Sequence, residues 1–185
     1  MRPWKPTKTQ LLEAAGKGIP DLIAPDLKVL FVGINPSLYS AAVRHHFARP
    51  GNRFWPALHG AGFTDRLLSP FEERELLKHG YGITNVVRRA TASASELSRS
   101  ELTAGGRRLR AKVQRYRPRI LALLGVDAYR AAFDRPKAVV GEQREKLGGN
   151  NIWVLPNPSG LNAHYQLGDL VQLFRKLGSA AQGAA

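Results

Sequence analysis

The sequence predicts an α/β domain with a mostly parallel central sheet and helices on both faces, a three-layer α/β/α sandwich. Short apolar runs typical of buried strands occur at 28–33, 119–125 and 151–156, with helical patterns between them. Of the 185 residues, 43% are apolar, which is enough for one core of ordinary size. No linker, repeat or low-complexity tract divides the chain, so we expect a single domain over residues 1–185.

The elements follow from periodicity and turn residues. KVLFVG at 28–33 predicts the first strand, and the later elements are, in order, helices at 53–62 and 71–80, a strand at 81–87, a helix at 102–118 ended by Pro118, a strand at 119–125, a helix at 126–133, a strand at 151–156 and a helix at 165–178. Segment 137–149 is compatible with a short strand and loop. Residues 1 to about 8 and 179–185 offer little to pack, and we expect both ends to be loose.

The net charge of +14, from 28 Lys and Arg against 14 Asp and Glu, predicts a polyanionic partner, with nucleic acid first and an anionic membrane surface or mere solubility as alternatives. One segment holds eight cations and the single acid Glu101; the cations are Arg99, Arg107, Arg108, Arg110, Lys112, Arg115, Arg117 and Arg119. Helical spacing places Leu109, Val113 and Tyr116 toward a core and the cations outside. The cations are predicted to contact phosphates or to form a solvated helix face.

Several classes of site and location are excluded. The chain has no Cys, which excludes disulfides, thiolate zinc sites, Cys-ligated iron–sulfur clusters and Cys nucleophiles. The pair His45 and His46 has no Cys or nearby carboxylate in sequence, so we expect no metal. No apolar run approaches the roughly 20 residues of a membrane span, and no signal core follows the first ten residues. We expect a cytoplasmic monomer without membrane contacts.

Two of the buried strands end in the same tripeptide. Asn35-Pro36-Ser37 follows strand 28–33, and Asn157-Pro158-Ser159 follows strand 151–156. Because ligands bind beyond the carboxyl ends of strands in open α/β sheets, we expect these loops to line one cleft. Their amides and hydroxyls offer neutral donors and acceptors. The alternative is structural, since Asn before Pro is common in turns.

The segment HHFARPGNRFW at 45–55 mixes aromatic residues with cations, a composition that suits stacking on a nucleobase. The cations and imidazoles are His45, His46, Arg49 and Arg53. We expect Phe54 and Trp55 to lie in the core and Phe47 to line a pocket.

Three motifs together, GINPS at 33–37, FARPGNRFW at 47–55 and NPSGLN at 157–162, resemble the mismatch-specific uracil/thymine-DNA glycosylases, a branch of the uracil-DNA glycosylase superfamily. The similarity extends from about Pro20 to about Leu177. It implies the uracil-DNA glycosylase fold and a monofunctional enzyme without cofactor, acting on double-stranded DNA with G:U or G:T mismatches. The enzyme would flip out uracil, less readily thymine, and hydrolyse the N-glycosidic bond, which initiates base-excision repair.

The resemblance also implies residue roles. Asn35 matches the catalytic Asn that positions water, and Asn157 stands where more active relatives have His. Backbone N–H groups near Ile34 and Phe47 would stabilise the departing base anion. Phe47 would stack on the flipped base, and Asn85 would contact its edge.

The segment Gly160-Leu161-Asn162 matches the loop that is pushed into the duplex. We expect Ser37 and Ser159 to belong to the same group of residues that contact the duplex and its phosphates. Leu161 is the intercalating candidate, with a local core contact as the alternative. Ala163 departs from the Arg of close relatives. Residues 85–98 also differ from relatives in detail, and Ser93 and Ser95 there receive no catalytic role.

A second hypothesis is a non-catalytic nucleic-acid-binding α/β module whose Asn loops only hold a flipped base. A small-molecule hydrolase is disfavoured because neither G-x-S-x-G nor G-x-G-x-x-G occurs. The preferred base and the strictness for an opposite guanine stay open.

Overall fold

The computed structural model describes residues 4–183 and centres on a five-stranded sheet in the order β2-β1-β3-β5-β4. The strands are β1 (Val29–Gly33), β2 (Tyr81–Asn85), β3 (Ile120–Leu124), β4 (Gly141–Leu147) and β5 (Asn150–Leu155). All neighbours pair in parallel except β4, which pairs antiparallel with β5 at one edge. The predicted α/β class with a mostly parallel sheet is confirmed.

Seven helices surround the sheet in the described part of the chain. They are α1 (Lys8–Glu13), α2 (Leu38–Val43), α3 (Phe54–Gly60), α4 (Glu75–Lys78), α5 (Arg99–Tyr116), α6 (Val126–Phe133) and α7 (Leu167–Gly183), with short 3-10 turns at Pro70–Glu72 and Ala94–Glu96. Among the helices within residues 4–183, none has the length and apolar content to cross a membrane.

The strands bury both faces, which explains their continuous apolar sequences. Successive side chains of β1 alternate between two cores: Val29 and Phe31 pack with α3 and α7, whereas Leu30 and Val32 pack with α5 and α6. The domain therefore has three layers, with the sheet between two pairs of helices.

The structure corrects several predicted boundaries. The helix predicted at 102–118 begins earlier, at Arg99, because Ser98 caps it and forms a capping box with Glu101. The helix predicted at 71–80 is only α4 and a preceding 3-10 turn, and segment 137–149 contains the edge strand β4.

Both ends of the described chain, where we expect loose segments, contain helical structure. Helix α7 continues to Gly183, Ala181 is buried in the first core and Ala180 packs against it. At the other end, Thr7 caps α1 through a capping box with Gln10. Residues 1–3 and 184–185 lie outside the described residues.

The sheet order creates a crevice beside β1. Strand β1 pairs with β2 on one side and with β3 on the other. The connection from β1 to β2 carries α3 on one face, whereas the connection after β3 carries α6 on the opposite face. The loops after β1 and β3 therefore diverge at the carboxyl edge, which is where open α/β sheets bind ligands.

Candidate active site

A cleft of about 960 Å³ opens at the carboxyl edge of the sheet. Residues that follow all four parallel strands line it, including both Asn-Pro-Ser loops, so these loops lie in one cleft as the sequence predicted. The predicted site residues that line it are Ile34, Asn35, Ser37, Phe47, Asn85, Asn157, Ser159, Leu161 and Asn162. Gly160 belongs to the same loop but does not line the cleft.

The amide of Asn35 is held in one orientation. Its Nδ2 donates to the backbone oxygen of Arg89 at 3.0 Å and to Thr91 Oγ1 at 2.7 Å. Thr91 Oγ1 donates in turn to the Ser93 backbone oxygen at 2.7 Å, so the hydroxyl must accept from Asn35. Both amide hydrogens of Asn35 are thus occupied, and Asn35 Oδ1 is left as an acceptor in the cleft.

Thr91 is a site residue that was not predicted from the sequence. It lies in the stretch 85–98, to which we assigned no catalytic role. The Thr91 N–H donates to the Pro36 oxygen at 3.2 Å, which brings the segment after β2 beside the Asn35 loop. The two segments meet only in the folded chain. The one sequence feature that points to Thr91 is a hydroxyl side chain shortly after a predicted strand.

The cleft offers little charge for acid–base chemistry. Among the described residues that line it, the one carboxylate is Asp127, whose exposed side chain is paired with Arg130 at 3.1 Å. No group of three or more His, Asp or Glu side chains within residues 4–183 is placed to hold a metal ion. The groups that face the cleft beside Asn35 are therefore mainly amides, hydroxyls and backbone polar groups.

Asn157 combines the turn role with a free donor. Its Oδ1 accepts from the Ser159 N–H at 3.0 Å, which is the turn geometry that Asn favours before Pro. No acceptor within the described residues pairs with Asn157 Nδ2, so this group can donate into the cleft. The Ser37 hydroxyl is used within α2, because it accepts from the Ser40 N–H and donates to Ser40 Oγ, each at 3.1 Å.

Phe47 forms one wall of the cleft. Its ring stacks on Phe54 with centroids 4.1 Å apart and planes 25° apart, and Phe54 is fully buried in the first core. Phe54 and Trp55 are core residues, as predicted. Because Phe47 is half-buried and lines the cleft, its ring is available to a planar ligand while Phe54 supports it from behind.

Phe47 adopts a left-handed backbone with φ of 53°, which costs about 1 kcal/mol or more for a residue with a side chain. Hydrogen bonds on both sides hold this conformation. The His46 N–H donates to Glu73 Oε2 at 2.8 Å, and the Ala48 N–H donates to Ser40 Oγ at 3.0 Å. Glu73 is buried and also pairs with His45 Nδ1 at 3.1 Å.

His46 supports the same turn. The sequence suggested that its ring could stack on a nucleobase, but the ring is not accessible for stacking. The ring is 2% exposed, and its Nε2 donates to the Pro20 backbone oxygen at 3.0 Å. The His46 backbone oxygen accepts from Trp55 Nε1 at 3.2 Å. Burial lowers the pKa of the His46 imidazole below its usual 6.5, so the neutral ring is favoured.

The floor of the cleft is built around Gly33. A Cβ atom at this position would lie 2.5 Å from Asn85 Oδ1 and 3.3 Å from the Phe47 ring, so a side chain would displace both. The backbone N–H groups of Ile34 and Phe47 have no acceptor within residues 4–183, and both residues line the cleft. The space above Gly33 is therefore lined by the backbone of Ile34 and Phe47, the side-chain amide of Asn85 and the ring of Phe47.

Arg53 clasps the wedge loop, which we define as residues 157–165. Its Nη2 donates to the backbone oxygens of Ser159 and Asn162, each at 2.7 Å, and its Nη1 donates to that of Tyr165. Arg53 is therefore a structural clamp on the loop, whereas the sequence suggested a cation for base stacking. Its forked guanidinium suits this arrangement, which a single ammonium group cannot reproduce.

The wedge loop presents Leu161 to solvent. Leu161 is 75% exposed, so the alternative of a local core contact is wrong. Gly160 precedes it where the loop crosses Gly51: a Cβ at residue 160 would lie 2.5 Å from the Gly51 backbone oxygen. The loop is thus closely packed beneath an exposed apolar tip.

Comparisons with known proteins agree with this architecture. The family model described as "Uracil DNA glycosylase superfamily" matches residues 20–178. A solution NMR structure of a "putative Uracil DNA glycosylase" from Methanosarcina acetivorans is 21% identical and superposes with a TM-score of 0.57, covering 88% of this chain and 98% of that chain. At this identity the structure supports the fold, and the family match covers most of the sequence. The chain therefore belongs to the uracil DNA glycosylase superfamily.

Proposed function

We propose that the protein is a monofunctional DNA glycosylase of the mismatch-specific branch, which removes uracil, and less readily thymine, from G:U and G:T mismatches in duplex DNA. The observation that carries this proposal is the Asn35 amide, whose two hydrogens are bound by Arg89 and Thr91 while its oxygen has no partner within residues 4–183. An acceptor fixed in this way orients a water molecule without having to reorganise during the reaction.

The cleft suits a flipped pyrimidine. Phe47 provides a supported stacking surface, and Asn85 offers both a donor and an acceptor to the polar edge of the base. We propose that the N–H groups of Ile34 and Phe47, which have no acceptor within residues 4–183, stabilise negative charge on the departing base. Asn157 Nδ2 supplies one further neutral donor.

These groups favour a mechanism in which bond breaking leads. The bond between C1′ and the base nitrogen breaks, its electron pair leaves with the base, and positive charge develops on the sugar. A water held by Asn35 Oδ1 then attacks C1′ and releases its proton to solvent, while the base anion takes up a proton. An amide is too weak a base to deprotonate water beforehand, and no cleft carboxylate contacts Asn35 among the described residues. We expect modest turnover.

Leu161 is proposed to enter the duplex and fill the gap that the flipped base leaves. Arg53 holds the loop that carries this exposed leucine. Leu161 can therefore insert between base steps without the entropic cost of ordering a flexible loop. A wobble pair is weaker than a Watson–Crick pair, so less free energy is needed to open a mismatch, and this difference contributes to selectivity.

A panel of uracil substrates tests the proposal. Purified protein is incubated with G:U, A:U and G:T duplexes and with single-stranded uracil DNA, and each sample is then heated in alkali. Alkali cleaves the strand only where a base has been removed, so we expect cleavage in the order G:U, then G:T. Tight binding without alkali-labile sites would instead support the non-catalytic nucleic-acid-binding module. Equal cleavage of G:U and A:U would contradict mismatch specificity.

A further inference from the structure

The positive charge of the protein is concentrated away from the cleft. The charged residues that line the cleft, with His neutral, are Arg49, Arg130 and Asp127, a net charge of +1. The segment 99–119 carries eight cations against one acid, a net charge of +7, which is half of the +14 of the chain. The cleft alone therefore does not explain why the chain is so basic.

Part of the charge in this segment is used within the fold. Lys112 Nζ turns inward and contacts Asp21 Oδ2 at 2.5 Å, Arg99 pairs with Asp134 at 3.0 Å, and Arg117 lies 3.6 Å from Asp26. The remaining cations on α5 are exposed and have no ion pair within residues 4–183. We call these four residues the distal basic face: Arg107, Arg108, Arg110 and Arg115.

The distal basic face extends from the middle of α5 to its last turn, away from the end of the helix that is next to the cleft. The first turn of α5 is next to the cleft, because Glu101 pairs with Arg89, whose oxygen binds Asn35. The last turn is at the opposite edge of the sheet, where the Tyr116 oxygen accepts from the Asp26 N–H at 2.8 Å, shortly before β1 begins. At 1.5 Å per residue, Arg115 lies about 20 Å along the helix from Glu101.

A duplex with a nucleotide in the cleft lies over the carboxyl edge of the sheet. To follow α5 from its middle to Arg115 in its last turn as well, the same duplex would have to bend around the domain, and bending DNA carries an elastic cost. The distal basic face is thus placed for phosphates other than those that flank the flipped nucleotide.

We propose that the distal basic face binds a second segment of double-stranded DNA through its phosphates, so that the protein can pass directly from one duplex to another. The choice of duplex DNA as occupant rests on the proposed function. Guanidinium groups bind phosphate with paired donors, and four of them on about two helical turns form a phosphate-binding surface without sequence preference.

The composition of the face favours a duplex over other polyanions. Ala111 and Gln114 are the exposed residues between the arginines. A helix that lies in a membrane surface carries large apolar side chains beside its cations, and this face has none. Single-stranded RNA is held by stacking on aromatic rings, and Tyr116, the aromatic residue of α5, is half-buried beside Arg115.

The test measures transfer between duplexes. Protein bound to a fluorescent duplex without uracil is mixed with increasing unlabelled duplex of the same sequence, and the dissociation rate is followed by anisotropy. We expect the wild-type rate to rise with competitor concentration, because the second duplex binds before the first leaves. The triple variant Arg107→Gln, Arg108→Gln, Arg115→Gln should lose this dependence. The salt dependence of second-duplex binding should also weaken, by a slope of about 3 for three lost phosphate contacts.

The triple variant Lys5→Gln, Lys8→Gln, Arg74→Gln is the matched control. It removes the same charge from exposed positions outside α5, and none of these side chains forms an ion pair within residues 4–183. The control should keep competitor dependence. Equal loss of competitor dependence in both variants would overturn the proposal, because it would assign the effect to total charge. Retained competitor dependence in the α5 variant would overturn it as well. Selective loss of binding to phosphatidylserine vesicles or to an RNA hairpin, with duplex transfer intact, would also overturn it.

Uracil release under single-turnover conditions separates this proposal from the proposed function. The α5 variant should release uracil from a G:U duplex at the wild-type rate when protein saturates the substrate. Wild-type protein that transfers between duplexes but releases no base would refute the glycosylase alone. Uracil release without competitor-dependent dissociation would refute the second DNA surface alone.

Discussion

The side-chain amide of Asn35 donates to Thr91 Oγ1 at 2.7 Å, and Thr91 is itself committed as a donor to the Ser93 oxygen. The direction of this chain is fixed, because a rotated amide would place Asn35 Oδ1 against the Arg89 backbone oxygen, an acceptor facing an acceptor. The Arg89 oxygen and Thr91 together therefore determine which end of the Asn35 amide faces the cleft.

Replacing Thr91 by Val should slow base removal while the protein remains folded. Valine has the same shape but cannot accept from Asn35, so the amide loses one hydrogen bond worth about 1 kcal/mol and its orientation is less restricted. We expect the single-turnover rate on a G:U duplex to fall about tenfold with little change in duplex affinity. Thr91→Ser should retain most of the rate, and a Val variant as fast as wild type would exclude a positioning role.

Replacing Arg53 by Lys should release the wedge loop. Lysine keeps the charge but cannot reach three backbone oxygens with a planar fork. We expect the free energy of unfolding to fall by about 2 kcal/mol, measured by urea denaturation, together with weaker activity on duplex DNA. Arg49→Lys is the control, because Arg49 is exposed in the same motif and should tolerate the change. Equal stability of the two variants would argue against the clasp.

Replacing Leu161 by Ala should impair activity on duplex DNA selectively. Burying a leucine side chain contributes about 2 kcal/mol, so uracil release from a G:U duplex should fall more than tenfold. Release from single-stranded uracil DNA should change little, because there is no stacked gap to fill. Comparable losses on the two substrates would show that Leu161 is not a wedge. Folding should be unaffected, since the side chain is exposed.

The stability of the protein should decrease as the pH falls below about 6.5, in part because of His46. Burial lowers the pKa of His46 in the folded state, so the unfolded chain takes up a proton at a higher pH than the folded chain does. The difference in unfolding free energy between wild type and His46→Gln should therefore shrink as the pH is lowered from about 7 to 5. A difference independent of pH would contradict this account.

The parallel sheet and the shared cleft of the two Asn-Pro-Ser loops were predictable, because the strands and the residues that follow them are recognisable in the local sequence. Buried strands such as Val29–Gly33 have continuous apolar sequences, and Asn35 and Asn157 directly follow two of them. The helical end at 179–183 was not predicted, because its small residues show little apolar periodicity, although alanine itself favours a helix.

The roles of Arg53 and Thr91 could not be predicted for a different reason. Each contacts residues far away in the chain, Arg53 in the wedge loop and Thr91 at Asn35, and nothing in the local sequence shows those partners. Phe47 was predicted in the pocket, but its left-handed backbone and its support by Glu73 depend on the tertiary structure.

The most direct test of the account is the release of free uracil from a G:U duplex by wild type and by Asn35→Ala, measured by chromatography under single-turnover conditions. The variant should bind the duplex and unfold like wild type, because Asn35 is only half-buried, yet its rate should fall at least about 100-fold, as for removal of a preorganised polar group. Undiminished release by Asn35→Ala would contradict the assignment of Asn35 as the residue that positions water, and absence of release by wild type would contradict glycosylase activity itself.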